Sequence, residues 1–321
     1  MEHPPAKADT RQVLKAVLHS EATTQEKLQR ARAAAFELAA LSNDQKNALL
    51  LEMAAALSAS SGKILRANEK DIVESDLEGA MRDRLLLTPE RTAEIVQALR
   101  DVVHLPDPVG ITIAEWQRPN GLKIRKVSVP LGVLGVIYES RPNVTVDAVA
   151  LAIKSGNAIV LRGGKEAAHS NRCLVSILSS VAGLPEGAIE LLDSSSRASV
   201  QDLIEARGLV DVIIPRGGPG LIEFVVRNSK VPVIETGAGN CHIFVDDSAD
   251  LDMAERIIVN AKTQRPSVCN AAEKVLIHRA IAKSIRQPQR RRCATDRTQA
   301  GSPRTCFGRP RCCWHPCRSR P

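Results

Sequence analysis

Aromatic side chains are scarce in this chain: one Tyr, two Trp and four Phe among 321 residues. Any large core must therefore be built from Leu, Ile, Val and Ala, within an apolar share of 44%. The same scarcity argues against the stacked aromatic platforms that hold single-stranded nucleic acid. No run reaches the ~18 apolar residues that a membrane span needs. The opening stretch MEHPPAKADTRQ has no apolar run and no signal-peptide shape. These absences lead to the expectation of a cytoplasmic protein without a membrane partner. Cysteine is thin through the body, at Cys173, Cys241 and Cys269, too widely spaced for a disulfide framework. No metal is expected.

Charge of one sign is also missing from most of the chain. The net charge is +8, but residues 285–321 hold ten Arg against one Asp. The first 284 residues carry 34 Lys and Arg against 35 Asp and Glu, so the body is near neutral. No specific nucleic-acid partner is expected of it. The basic stretch is rich in Arg, Pro and Cys and reads as disordered. Its Cys306, Cys312, Cys313, His315 and Cys317 form no clean pair of C-x₂-C knuckles, which argues against a zinc module. Its composition resembles that of a G/C-rich gene read out of frame.

What is present is ordered along the chain. The length suits two domains. Residues 10–104 read as helices: QEKLQRARAAAFELAAL is rich in Ala and Leu, Ser42 with Gln45 forms a capping box, and Thr88-Pro89 is an N-cap followed by Pro. ITIAEWQ and LKIRKVSV flank the turn signal Asn120-Gly121, which predicts a hairpin over 111–129. Leu122, Ile124, Val127 and Val129 suggest one buried face, with a register shift between Ile124 and Val127. From Val133 onward, strands alternate with helices starting near Val144, His169, Ala198 and Pro219. The predicted strands are VLGVIY, AIVLR, AIELL, LVDVIIP and VPVIE, all short and rich in Val and Ile, as in a parallel sheet covered on both faces. The fold class is α/β, with a doubly wound parallel sheet.

Ligands of such sheets bind at the carboxyl ends of the strands. There the chain carries Glu139-Ser-Arg-Pro-Asn143, Arg162-Gly-Gly-Lys165, Arg216-Gly-Gly218 and Glu235-Thr-Gly-Ala-Gly-Asn240. Two basic Gly-Gly loops on one edge suggest a phosphate-bearing cofactor, although α/β turns often carry glycine for structural reasons. A G-x-G-x-x-G fingerprint after the first strand is absent. The segment KTQRPSVCNA raises a further question: Cys269 is either a reactive thiol or a small buried hydrophobe.

The stretches VPLGVLGVIYESRPNVTVDAVALAIKSGNAIVLRGGKEA, IIPRGG, VIETGAGNCHIFVD and KTQRPSVCNA resemble the gamma-glutamyl phosphate reductases, a branch of the aldehyde dehydrogenase superfamily. The resemblance runs from about Lys27 to about Lys283. It implies an aldehyde-dehydrogenase-like fold, NADPH as hydride donor, L-glutamyl 5-phosphate as substrate and a homo-oligomer. It implies Cys269 as nucleophile, with Asn143 supplying an oxyanion-hole amide, although Asn before a helix is also a common N-cap. Glu235 matches the position that activates water in hydrolytic relatives. It is read here as a proton-handling or cofactor-positioning group, or as a structural cap. Arg162, Gly163 and Lys165 match the region of the adenosine ribose and its 2′-phosphate, and Gly217 and Gly218 the turn near the pyrophosphate. Arg141 and Arg265 are candidates for the substrate's carboxylate or leaving phosphate. Cys173 and Cys241 are read as structural.

The implied organisation is a helical part of the cofactor domain over 1–110, an oligomerisation-type hairpin over 111–129 and a cofactor-binding α/β part over 130–236. An incomplete catalytic domain follows over 237–284, and then the tail. Past EKVLIHRAIAKS the resemblance stops. A non-catalytic remnant of such an enzyme, or a hydrolytic aldehyde dehydrogenase, are the alternative functions.

Overall fold

The computed structural model describes residues 22–282, except for Arg197, Thr236, Ala238, Arg265 and Ser267. The Arg265 assignment, the helical reading of residues 10–21 and all readings of 285–321 lie outside the described residues. The chain divides into two compact units, one running through Thr236 and the other from Gly237.

The described part of the larger unit begins with five helices: α1 (Thr24–Ala39), α2 (Asn43–Ala59), α3 (Ser61–Glu74), α4 (Gly79–Leu85) and α5 (Pro89–Val103). Local chemistry starts several of them. Ser42 N donates to Gln45 Oε1 at 2.8 Å while Ser42 Oγ accepts from Gln45 N at 3.2 Å, which is the predicted capping box. Thr88 Oγ1 accepts from Arg91 N at 3.2 Å, with Pro89 as the first helical residue. Each cap of this kind contributes ~1 kcal/mol.

The hairpin forms from β1 (Thr112–Gln117) and β2 (Lys123–Val127), antiparallel, with Gly121 N donating to Arg118 O across the turn. Its register is irregular between Thr112 and Ala114, opposite Val127 and Lys126. The predicted buried face is corrected: Leu122, Val127 and Val129 are exposed, and Ile124 is half-buried. All six residues of β1 are exposed as well. Two strands alone have no third layer to bury a face against.

Then follow β3 (Val133–Tyr138), α6 (Pro142–Lys154), β4 (Ala158–Arg162), α7 (Ala168–Ser179), β5 (Ile189–Leu191), α8 (Ala198–Glu205), β6 (Val212–Arg216) and α9 (Pro219–Asn228). The four strands make a parallel sheet in the order β5-β4-β3-β6. Every residue of β3 is buried, so both faces of the sheet are covered. The predicted fifth strand VPVIE is also corrected. It adds a single parallel bridge, Ile213 to Val233, through Ile213 N to Pro232 O at 2.8 Å and Ile234 N to Ile213 O at 2.9 Å. Pro232 has no N–H to extend the ladder.

Long-range polar contacts lock the helices to this sheet. Arg30 pairs with Glu190 at 2.8 Å, and Arg32 with Asp211 at 2.6 Å. Lys27 Nζ donates to Leu191 O at 2.9 Å. On α3, the buried Asp71 accepts from His169 N at 2.9 Å and Ser170 N at 2.8 Å, and so caps the start of α7.

The smaller unit is a β-α-β crossover of β7 (Cys241–Val245), α10 (Leu251–Thr263) and β8 (Ala272–Ile277), with the two strands parallel. Its core consists of Val245, Ala254, Ile258 and Ile277. Among the described residues, no single helix is long and apolar enough to cross a membrane.

Candidate active site

In the larger unit the carboxyl ends of β3, β4 and β6 gather most of the singled-out residues. Glu139 follows β3. Its Oε1 accepts from Gly218 N at 2.6 Å, just before Pro219 opens α9. This bond ties the β3 end to the Gly217-Gly218 turn, a link that strand-by-strand reading missed. Ser140 Oγ donates to Glu166 Oε2 at 2.5 Å, which joins the β3 end to the short turn Lys165–Ala167 after β4.

Gly163 is required by close approach. A Cβ there would run into the Asn171 amide and meet the Tyr138 ring at 3.1 Å. Behind it lies a buried polar chain, Tyr138 OH to Thr145 Oγ1 at 2.6 Å and Thr145 Oγ1 to Asn171 Oδ1 at 2.8 Å. Burial pushes the Tyr138 phenol well above its ordinary pKa, and the Thr145 bond only partly offsets this. Sequence reading missed this network, because its members lie on three separate elements.

Beside Gly163 opens a cleft of about 230 Å³, with Val175, Leu191 and Leu192 as apolar lining and Lys27, Arg172 and Asp193 as charged lining. Hydrogen bonds from the Ser195 hydroxyl and N–H hold the Asp193 carboxyl below its usual range. Arg162 spans from β4 towards the loop after β5. Its Nη1 donates to Gly163 O at 3.3 Å, and its Nη2 to Ser194 O at 3.2 Å and Ser196 O at 3.4 Å. Its Nε is buried without a partner, and burial draws the guanidinium pKa down. Arg162 is thus engaged by backbone carbonyls, whereas Lys165 is exposed.

Asn143 is the second residue of α6, after Pro142. Its reading as an N-cap is corrected: Arg141 occupies the cap position, and the Asn143 amide instead donates to Asp147 Oδ2 at 3.3 Å. Proline takes the first helical position, so Asn143 lies two residues past the cap. Asp147 was not singled out from the sequence, yet a signal existed: it is the one acid in PNVTVDAVALAIK. Burial raises its pKa, and the Asn143 bond opposes the shift. Glu235 is exposed at the end of the larger unit, just past the bridge at Val233.

In the smaller unit, Cys269 is exposed on the turn before β8, which rules out the reading as a buried hydrophobe. Its carbonyl accepts from Cys241 Sγ at 3.4 Å. A Cβ at Gly239 would stand 2.9 Å from the same oxygen, so only glycine lets the two segments approach. Cys173 is buried in α7, where burial raises its thiol pKa. Among the described residues, no cluster of His, Cys, Asp or Glu is placed to hold a metal.

The aldehyde dehydrogenase family model matches residues 4–306 of the chain. A gamma-glutamyl phosphate reductase of Koribacter versatilis is 67% identical over 261 residues, covering 81% of this chain. One of Moorella thermoacetica is 54% identical over 267 residues, also covering 81%. The chain spans 64% of the length of each of these relatives. The crystal structure of gamma-glutamyl phosphate reductase from Thermotoga maritima superposes with a TM-score of 0.77 at 43% identity, over 85% of this chain and 67% of that one. A probable aldehyde dehydrogenase of Listeria monocytogenes shares the fold at 21% identity and a TM-score of 0.62.

Proposed function

The chain belongs to the aldehyde dehydrogenase family, beside gamma-glutamyl phosphate reductase relatives, and we propose that it reduces L-glutamyl 5-phosphate to L-glutamate 5-semialdehyde with NADPH, as a cytoplasmic step of proline biosynthesis. The observation that carries this reading is Cys269, an exposed thiol within the motif KTQRPSVCNA.

The chemistry follows from the residues. The Cys269 thiolate attacks the acyl carbon, the bond from that carbon to the phosphate oxygen breaks, and inorganic phosphate leaves a thioester behind. The Asn143 amide donates to the carbonyl oxygen as it gains negative charge. Bound NADPH supplies the hydride that reduces the thioester. Departure of the sulfur as thiolate frees the aldehyde and returns Cys269 to its starting state. Glu235 serves as a proton-handling or cofactor-positioning group. Arg141 and Arg265 take the substrate's carboxylate and phosphate.

The cleft beside Gly163 fits a flat ring and its ribose, with backbone at Gly163 and aliphatic side chains along its lining. Lys165, exposed in the short turn after β4, would meet a 2′-phosphate, while Gly217 and Gly218 would face the pyrophosphate. Arg162 would support this region through the carbonyls it already holds. The exposed hairpin joins two copies of the chain into a homo-oligomer.

The test is NADP reduction by the purified chain with L-glutamate 5-semialdehyde, with and without phosphate. The expected result is reduction that depends on phosphate. Reduction without phosphate, with release of an acid, would identify a hydrolytic aldehyde dehydrogenase instead. NADPH binding with no turnover would identify a non-catalytic nucleotide-binding protein.

A further inference from the structure

We propose that Asp147 binds the α-ammonium group of the substrate, and so makes the site select amino aldehydes over the same aldehydes without nitrogen. The inference rests on the reading above, in which Asn143 donates to the reacting carbonyl.

Helix α6 is apolar from Val144 to Ile153 apart from Thr145 and Asp147. Thr145 is buried and used in the chain that links Tyr138 to Asn171. Asp147 is half-buried, and its one hydrogen bond comes from Asn143, one turn back, at 3.3 Å. Among the described residues, no Lys, Arg or His pairs with it. A carboxylate has two oxygens and about four acceptor sites. One long bond from a neutral amide leaves most of that capacity unused by the protein in a partly desolvated place. A buried charge without a counter-charge is destabilising, and proteins seldom keep one that has no use. The raised pKa of the group is consistent with this deficit.

The position sharpens the argument. An anion in contact with the Asn143 amide opposes the charge that Asn143 must stabilise on the reacting oxygen. Two like charges ~6 Å apart in a partly buried site repel appreciably. A cation brought by the substrate removes that conflict. In the proposed substrate the ammonium nitrogen lies four bonds from the reacting carbon, ~5 Å when the chain is extended. This matches a reach from the amide of Asn143 to the carboxylate one helical turn further on. The neutralised Asp147 then still fixes one amide hydrogen of Asn143, leaving the other for the reacting oxygen. A substrate lacking nitrogen would leave the carboxylate charged and unpaired.

The proposal is tested by titration calorimetry on the full chain, with L-glutamate and with glutarate, which differs only in lacking the amino group. L-Glutamate is expected to bind at least about tenfold more tightly, since a hydrogen bond to a charged partner is at stake. Asp147→Asn is expected to remove the difference, and Asp147→Glu to keep part of it. The preference should also fade as the pH is lowered and Asp147 takes up a proton. Equal binding of the two ligands, binding of neither, or a preference that survives Asp147→Asn would overturn the proposal. Turnover is measured separately. A preference without turnover keeps the ammonium site and removes the reductase reading, and turnover without a preference does the reverse.

Discussion

Cys269 stands on an exposed turn and packs against no core, so its replacement tests chemistry with little structural side effect. Cys269→Ser is expected to lower phosphate-dependent NADP reduction below ~1% while NADPH binding and Tm stay as they were, because a serine hydroxyl without a dedicated base is a poor nucleophile. Arg162 and Lys165 separate in the opposite sense. Arg162→Ala removes the donors to the Ser194 and Ser196 carbonyls, and it is expected to lower stability by roughly 1–3 kcal/mol in urea unfolding. Lys165→Ala is expected to leave stability unchanged and to narrow the preference for NADPH over NADH in steady-state kinetics. Asp147 carries a pH signature. Its folded pKa lies above the unfolded value, so the stability it contributes is full below the unfolded value and lost as the pH rises through the folded one. Asp147→Asn should therefore raise Tm relative to the parent at neutral pH, and the gain should vanish in acid below about pH 3.5. A constant difference at all pH values would show that the charge is not the cause. Of these residues, Cys269 and Lys165 were singled out from their motifs, and both are exposed. The role of Arg162 was not legible in the sequence, because the carbonyls that hold it lie 32 and 34 residues further along the chain.

At the scale of elements, what was legible was local. The starts of α2 and α5 follow from hydroxyls and partners within three residues, and the strands β3, β4 and β6 from runs rich in Val, Ile and Leu. What failed depended on distant neighbours. VPVIE has the composition of a strand, yet its pairing rests on how Pro232 meets the edge of β6. The hairpin alternates as if half-buried, yet nothing in its own unit covers it. Ile113 is 59% exposed and Val129 74%. Replacing both with Glu removes apolar surface from the proposed contact between copies and disturbs no packing within one copy. The double variant is expected to be monomeric by light scattering with an unchanged Tm. An unchanged oligomer would place the contact elsewhere.

At the scale of the whole molecule the two units differ in what they own. The larger holds a continuous core that joins its helices to its four-stranded sheet, whereas the core cluster of the smaller has only four buried residues among those described. Residues 22–235 expressed alone are expected to melt cooperatively by circular dichroism. Residues 237–282 alone are expected to show no transition, since so small a core does not offset chain entropy. The pins from α1 to the sheet add a constraint of another kind. Lys27 and Arg30 find their partners at Leu191 and Glu190, and Arg32 at Asp211, 160 or more residues later. During synthesis at ~5–20 residues per second, α1 therefore leaves the ribosome roughly 8–30 s before the strands that anchor it exist. For that interval its apolar stripe, Leu28, Ala31, Ala35 and Leu38 among it, faces solvent as client surface for chaperones. The order of translation thus makes α1, made before the sheet, one of the later elements to find its place.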